Sequence, residues 1–306
     1  MIKDNSNQLK ALVCIILVNY NGFEDTVECV KSLKKITYPN VKIVVVDNGS
    51  TEKATSSQYL FLKSNCYFIN SKDNLGFSGG NNLGIKYASS WAPDYYLLLN
   101  NDTIVEPDFL DKLVMAYQCY PDNDKLGLVC GKIKFYSQPN LIWFAGGFID
   151  YKTGDTHHIG YMDQDYGQYD YSKEITFATG CMWLIPNQVI EEVGLLSEEY
   201  FLYCEDTDYC WRLLNAGFQI LYEGSACIYH KVSASTVEGS YSQTYYMLRN
   251  GLYIIDKYIQ NSFWAKTYFI LRKIRKTILG RMTWKALGNA FFDYFRKNEG
   301  KRKEKS

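Results

Sequence analysis

Three carboxylates, Glu205, Asp206 and Asp208, fall within four residues of the stretch FLYCEDTDYCWRLLNAGF, residues 201–218. An aromatic cluster (Tyr200, Phe201, Tyr203) precedes them, and a helical pattern through Trp211, Leu213 and Leu214 follows and stops at Gly217. The pattern predicts a loop that delivers acids to a helix N-terminus, where the helix dipole favours negative charge. On that helix Glu205, Asp208, Tyr209 and Arg212 share one face, while Asp206 points elsewhere with Cys210. Asp208 reads equally well as the partner of Arg212 in an ion pair. Glu205 and Asp206, beside so many rings, suggest a pocket that needs a base.

Two more carboxylates stand at strand ends. VKIVVVD, residues 41–47, is β-branched and ends at Asp47 before Asn48-Gly49-Ser50. Asp47 is either an ordinary turn residue or a carboxylate that accepts a nucleotide base N–H. DYYLLLNNDT, residues 94–103, ends in Asn101-Asp102. Asp102 is either a turn residue before Pro107 or a ligand for a hard divalent ion whose other ligands are diphosphate oxygens and water. His230 ends a strand downstream of the acidic helix. It is a buried structural histidine by default, and a metal or diphosphate ligand if Asp102 is its neighbour in space. His157-His158, inside a polar insert, reads as a solvated pair. NLGFSGGNNLGIKYA, residues 74–88, is a glycine-rich loop entering a helix, where backbone N–H groups can approach a phosphate or ribose. Its spacing is neither a Walker A loop nor a GxGxxG after the first strand.

The elements that must position these groups follow from pattern. Residues 11–18 are a continuous apolar run ending at Asn19-Tyr20-Asn21-Gly22, which fits a buried parallel strand and a turn. A helical pattern at 24–35 leads to the strand at 41–47, making a βαβ unit whose loops lie at the C-terminal strand edge. Ligands of open α/β sheets bind at that edge. A helix at 52–63, a strand at 66–70, a strand at 94–103 and a helix at 106–118 continue the pattern. From 126 to 185 strand-like segments surround a Tyr/Asp/Gly-rich insert at 151–173, read as a mixed part of the sheet with a mobile acceptor-side loop. Residues 218–236 read as two strands ending at His230 and a Ser/Thr-rich turn. The segment YSQTYYMLRNGLYIIDKYI, residues 241–259, is helical, with Arg249-Asn250 exposed by pattern.

The chain has 306 residues, 47% of them hydrophobic, enough for one large α/β domain with an appendage. Nine cysteines without CxxC spacing argue against a disulfide framework or zinc site and fit a reducing cytoplasm. The apolar segment ALVCIILV is too short to span a bilayer and has no cleavage site after it. Net charge is zero, but residues 257–306 hold 14 Lys/Arg against 3 Asp/Glu, leaving +11 there and −11 on residues 1–256. No nucleic-acid partner is expected, and an acidic body with a basic tail that mixes in Phe263, Trp264, Phe269, Ile270, Trp284 and Phe291 fits an anionic membrane surface. A basic helical hairpin packed on the body is the plainer reading. KNEGKRKEKS at the end is expected to be disordered.

The order of these fragments resembles glycosyltransferase family 2, in its bacterial rhamnosyltransferase-like branch, over roughly residues 11–253. The fragments are LVNYNG (17–22), VVVDNGST (44–51), NLGFSGGNNLGI (74–85), LLLNNDT (97–103), FATGCMWLIP (177–186), FLYCEDTDYCWRLLNAGF (201–218), YHKVSAST (229–236) and RN (249–250). The resemblance implies an α/β GT-A type fold with a mostly parallel central sheet flanked by helices. It implies a catalytic domain at 1–240, with a nucleotide-binding half at about 11–103 and an acceptor half at about 104–240, and a helical extension at 241–306. Asn19, Tyr20 and Asp47 would hold the nucleotide base. Asn74, Gly76, Gly79 and Asn82 would line the nucleotide–sugar loop. Asn101 and Asp102 occupy the acidic metal motif, with Asp102 as ligand and Asn in place of the first acid of the commoner DxD form. Asp206 would be the catalytic base with Glu205 its neighbour, and His230 a ligand of the metal or diphosphate. The implied activity is an inverting, divalent-cation-dependent (Mg2+ or Mn2+) transfer of sugar from a nucleotide-sugar donor to a glycan or lipid-linked glycan. The implied donor is dTDP-rhamnose, with a UDP-hexose or UDP-galactofuranose as alternatives. The implied place is the cytoplasm, peripheral at the inner face of the cell membrane. Two rivals remain. A sugar nucleotidyltransferase would carry a glycine-rich loop with Arg and Lys after the first strand, which NYNGFEDT lacks. A non-catalytic sugar-nucleotide-binding protein would have no need of Asp102 and Asp206.

Overall fold

The computed structural model describes residues 10–232 and 240–302. Most of the Ser/Thr-rich segment expected after His230 lies outside the described residues. The first half alternates strand and helix: β1 (Val13–Asn19), α1 (Phe23–Leu33), β2 (Val41–Asn48), α2 (Ser56–Asn65), β3 (Tyr67–Ser71), α3 (Gly76–Ala88) and β4 (Tyr95–Asn100). β4, β1, β2 and β3 are neighbours in that order and all parallel. Residues 13–17 of β1 and 97–98 of β4 are fully buried, as a strand covered on both faces requires. α2 begins with a Thr55–Gln58 capping box, later than the sequence expectation because residues 51–54 form the turn that leads into it.

The second half turns mixed, as the sequence predicts. It comprises β5 (Thr103–Val105), α4 (Phe109–Gln118), β6 (Leu126–Phe135), β7 (Ile142–Phe144), β8 (Gly147–Ile149), β9 (Thr156–His158), β10 (Ser172–Ile175), β11 (Met182–Pro186), α5 (Asn187–Val193), α6 (Glu205–Asn215) and β12 (Gln219–His230). β11 runs antiparallel to both β4 and β6 and so joins the parallel group to the pair β6–β12. Residues 219–230 form one strand with an irregularity between Glu223 and Cys227, rather than the two expected, because β6 accompanies it along its length. The His157-His158 pair is split by the β8–β9 hairpin. His157 is exposed and stacks on Phe148, whereas His158 packs among Trp143, Phe144 and Phe177, and burial pushes its imidazole pKa down. The solvated-pair expectation therefore holds for His157 alone.

The chain ends in α7 (Tyr241–Tyr258), α8 (Ser262–Ile278) and α9 (Trp284–Phe295). Arg249 and Asn250, expected exposed, are fully buried. The tyrosines of α7 are all buried or half-buried, so most of the helix is covered and Arg249 and Asn250 have no open face to lie on. Residues 297–302, expected to be disordered, are tied down: Gly300 donates its N–H to Glu199 and Arg302 pairs with Asp293.

Candidate active site

Asn19, Asp47 and Asn100 end three adjacent parallel strands, with Asn19 opposite Asp47 and Val18 opposite Asn100. The Asn19 amide donates to Asp47 (3.3 Å) and Ser50 (3.1 Å), and its carbonyl accepts from Gly22 N–H and Thr26. Asn19 is fully buried and holds the NYNG turn in shape, while Tyr20 stands exposed at the rim. Asn101 donates to Thr26 at 2.8 Å and so ties the strand-end turn after β4 to the same network.

The glycine-rich stretch is helical already from Gly76, and its glycines serve close packing. A Cβ on Gly84 would lie 2.4 Å from Ile16 of β1. Gly76 has φ +74°, and a Cβ there would lie 2.1 Å from the Phe201 carbonyl, which accepts the Phe77 N–H at 2.8 Å. α3 thus begins directly on the loop that delivers the acids. Asn74 accepts from the Gly76 N–H and from Asn48, setting that start. Gly79 faces Leu75 and Glu198. Asn82 is buried, and its amide bridges Leu196 and Glu198. Asn82 holds the 196–198 segment with both of its amide hydrogens.

Asp102 and His230 meet. The end of β12 pairs with β5, placing His230 opposite Thr103, and Asp102 Oδ1 lies 3.2 Å from His230 Nε2. Both residues are largely buried, and the Trp143 ring packs edge-on against the imidazole at 4.8 Å. Two adjacent ligands about 2.1–2.2 Å from one octahedral ion are separated by about 3 Å, so this spacing fits a divalent cation. One carboxylate and one imidazole suit Mn2+ at least as well as Mg2+. Among the described residues no group of three or more His, Cys, Asp or Glu could hold a metal. Diphosphate oxygens and water would therefore complete the coordination.

The acids lie at the first turn of α6, after a loop with left-handed φ at Phe201, Tyr203 and Cys204. Asp208 is fully buried and accepts from five groups: Ser197 (2.7 Å), Tyr200 (3.1 Å), Arg212 (2.9 Å), Lys257 (2.8 Å) and Tyr258 (2.7 Å). Burial alone would raise its pKa, but the Lys257, Ser197 and Tyr258 hydrogen bonds and the Arg212 charge hold it below the ordinary range. The ion-pair reading of Asp208 is the right one, extended to a hub that ties α6 to α7. Glu205 is buried with Oε2 unpartnered among the described residues, and burial followed by the Asp206 charge pushes its pKa up. Asp206 is half-buried and its pKa is likewise raised by burial, against the hydrogen bond from the Thr207 N–H group. As the helical wheel predicts, Asp206 and Cys210 both face the connector between β10 and β11: Cys210 meets Ala178, and Asp206 meets Gly180.

That connector brings the two halves of the site together. Gly180 packs against Asp206, where a Cβ on the glycine would lie 3.7 Å from the Asp206 Cβ, and the carbonyl of the next residue, Cys181, accepts the Asn100 N–H at 2.9 Å. Asp206 and the Asn101–Asp102 turn therefore flank one short span of chain. Sequence reasoning missed Gly180, whose role shows only in three dimensions, and it misplaced Asn250. Asn250 Nδ2 lies 2.8–2.9 Å from the carbonyls of Tyr200, Leu202 and Tyr203, and Arg249 donates to Tyr200 and Gly300. The strained acid loop is clamped from α7.

The profile described as "Glycosyl transferase family 2" matches residues 14–194. The chain belongs to glycosyltransferase family 2 and has the GT-A fold. It is 24% identical over 250 residues to the dTDP-rhamnosyl transferase RfbF of Shigella flexneri, covering 79% of each chain. It is 25% identical over 208 residues to the low-salt glycan biosynthesis hexosyltransferase Agl10 of Haloferax volcanii, covering 65% of this chain and 60% of that protein. The chain spans about 60% of the length of the hexosyltransferase and 55% of a Staphylococcus epidermidis poly-beta-1,6-N-acetyl-D-glucosamine synthase. In fold it is similar to the mannosyltransferase PcManGT of Pyrobaculum calidifontis in complex with GDP-Man and Mn2+, with a TM-score of 0.58 at 13% identity over 94% of this chain and 76% of that one. A second structural neighbour is GalNAc-T7 with UDP, GalNAc and Mn2+, at a TM-score of 0.65 and 14% identity over 94% of this chain and 57% of that one. Asp206 and His230 lie beyond the residues matched by the profile.

Proposed function

We propose that this chain is an inverting glycosyltransferase that moves rhamnose from dTDP-rhamnose to a hydroxyl of a growing cell-surface or lipid-linked glycan. The observation that carries the reading is the pairing of Asp102–His230 with the half-buried Asp206 across the Gly180–Cys181 span. Tyr20, Asp47 and Asn101 are read as contacts of the nucleotide, with Asn19, Asn74, Gly76, Gly79 and Asn82 shaping its walls. A divalent cation, when bound, neutralises charge on the leaving diphosphate. Asp102 and His230 would hold it. Asp206 takes the proton of the acceptor hydroxyl as that oxygen attacks the anomeric carbon, which contributes ~10²–10⁴-fold. Its raised pKa places it closer to neutrality than an ordinary carboxylate, which suits a base. Asp208 is neutralised by its five donors, and Glu205 is buried behind Asp206. One reachable carboxylate supports a single displacement with inversion.

The rhamnosyl donor is supported by the likeness to RfbF, and a UDP-hexose or UDP-galactofuranose is the second reading. Because α7 clamps the acid loop, we read residues 241–258 with the catalytic unit. The peripheral position at the inner face of the cell membrane belongs to the same proposal and is supported by the basic tail. Incubation with a panel of nucleotide sugars, read as nucleoside diphosphate release, tests the donor. Release from UDP-sugars but not from dTDP-rhamnose would overturn the rhamnosyl reading, and NMR of the product's anomeric centre tests inversion.

A further inference from the structure

α8 has two opposed sides. Ala265, Phe269, Lys273 and Thr277, spaced by four, are buried against the body. On the other side Trp264, Tyr268, Leu271, Ile278 and Leu279 form a stripe at helical spacing, with Arg275 among them. Trp264 is 72% exposed, Leu271 61% and Ile278 69%, and Trp284 at the start of α9 adds a second indole at 59%. Aliphatic and indole side chains in a row on an open helix face mark a contact surface.

Charge selects the partner. Residues 262–292 contain seven Lys/Arg and no Asp or Glu. Among the described residues the ion pairs of this segment use Lys266 and Arg272, with Asp256 and Asp155, so Arg275, Lys276, Arg281 and Lys285 remain for an external anion. A protein partner would need a matching acidic groove, whereas an anionic bilayer accepts indoles at its interface and bases around them without one. No helix of the described residues is long and apolar enough to cross a membrane, so the stripe lies on the surface.

The buried side of α8 reaches the site. Lys273 lies within electrostatic reach of Cys204, the residue before Glu205, and Arg272 pairs with Asp155. The stripe is the side of α8 turned away from that buried contact. We propose, resting on the transferase reading above, that the Trp264–Leu279 stripe and Trp284 dock on an anionic bilayer and hold Asp206 over an acceptor carried by that same surface.

The test uses the full chain, vesicles of phosphatidylcholine with and without phosphatidylglycerol, and two variants. One is Trp264→Ser/Leu271→Ser/Ile278→Ser and the other is Arg275→Glu/Lys276→Glu. All five side chains are at the surface or on its margin, and circular dichroism checks the fold. The wild type should pellet with the anionic vesicles alone and detach in high salt. Each basic residue near the surface contributes roughly a fivefold gain in partition, so the charge variant should lose at least about tenfold. The apolar variant should lose a similar factor. Nucleoside diphosphate release onto water or a soluble acceptor should be unchanged in both variants, while transfer to a vesicle-borne acceptor falls with binding. A wild type that turns over donor but stays in the supernatant overturns the docking and leaves the transferase reading intact. A wild type that pellets but releases no nucleotide from any donor supports docking and sinks the transferase reading instead. A wild-type dimer in light scattering that the apolar variant makes monomeric assigns the stripe to a second copy, against the proposal.

Discussion

Replacing Asn250 with Ala should separate chemistry from nucleotide binding. The Asn250 amide has two hydrogens and three acceptors, the carbonyls of Tyr200, Leu202 and Tyr203, so one hydrogen is shared. Each lost bond costs about 1 kcal/mol net, and each carbonyl left buried and unpaired costs about 1–3 kcal/mol. Tyr200 keeps a donor in Arg249 (3.2 Å), which limits the loss to about 2–4 kcal/mol. The same loop holds Phe201, Tyr203 and Cys204 in left-handed conformations, each costing about 1 kcal/mol or more. The clamp and the strain are therefore of similar size, and without the clamp the loop relaxes. A shift of about 1 Å in Asp206 is enough to lower kcat about 10²-fold. The strand-end network at Asn19, Asp47 and Asn101 has no contact with Asn250, so nucleoside diphosphate should bind within about threefold of wild type, a difference worth less than 1 kcal/mol. Calorimetric binding and a coupled nucleotide-release assay measure the two, and Tm should drop by about 10 °C. An unchanged kcat would refute the clamp, and parallel loss of binding and kcat would show that the substitution merely unfolds the domain.

Asp208→Asn should destabilise by on the order of 3 kcal/mol, because Lys257 and Arg212 lose their buried partner. The folded pKa of Asp208 is depressed, so its contribution is present above the unfolded carboxylate range of about 3.9 and is lost as pH falls through the folded value. The variant's Tm should therefore fall less steeply than the wild type's below about pH 4, and a parallel acid limb would contradict this. Gly76→Ala should abolish a soluble fold or lower Tm sharply, because its Cβ meets the Phe201 carbonyl and φ is positive; a normal Tm would show that α3 can start elsewhere. EDTA should stop turnover, and Asp102→Ala and His230→Ala should each weaken Mn2+-dependent nucleotide binding at least about tenfold without changing metal-free binding. Full activity in EDTA would remove the cation from the mechanism.

The parallel half of the sheet was legible because buried parallel strands read as unbroken apolar runs, as in residues 13–18 and 43–46. The Asp208–Arg212 pair and the divergence of Asp206 from it were legible because helix geometry fixes which side chains share a face. The meeting of Asp102 with His230 was legible only as a condition, since it depends on β12 pairing with β5 across more than a hundred residues. The packing role of the glycines at residues 76–84 was not legible, because a glycine that admits a phosphate and one that admits a neighbouring strand look alike in sequence. Arg249 and Asn250 misled for a related reason. Long polar side chains predict exposure unless a strained loop with open carbonyls lies beside them, and that loop is 47–50 residues away in the chain.

The measurement that bears most directly on the account is the turnover of Asp206→Asn beside its nucleotide affinity. The amide keeps the size of the carboxylate and can still accept from the Thr207 N–H, so the loop and the strand-end network should stand. The account predicts nucleoside diphosphate binding within about twofold of wild type and a kcat lower by at least ~10²-fold with the active donor. A kcat within about threefold of wild type, a change of less than 1 kcal/mol in the barrier, would contradict it and pass the role of base to Glu205.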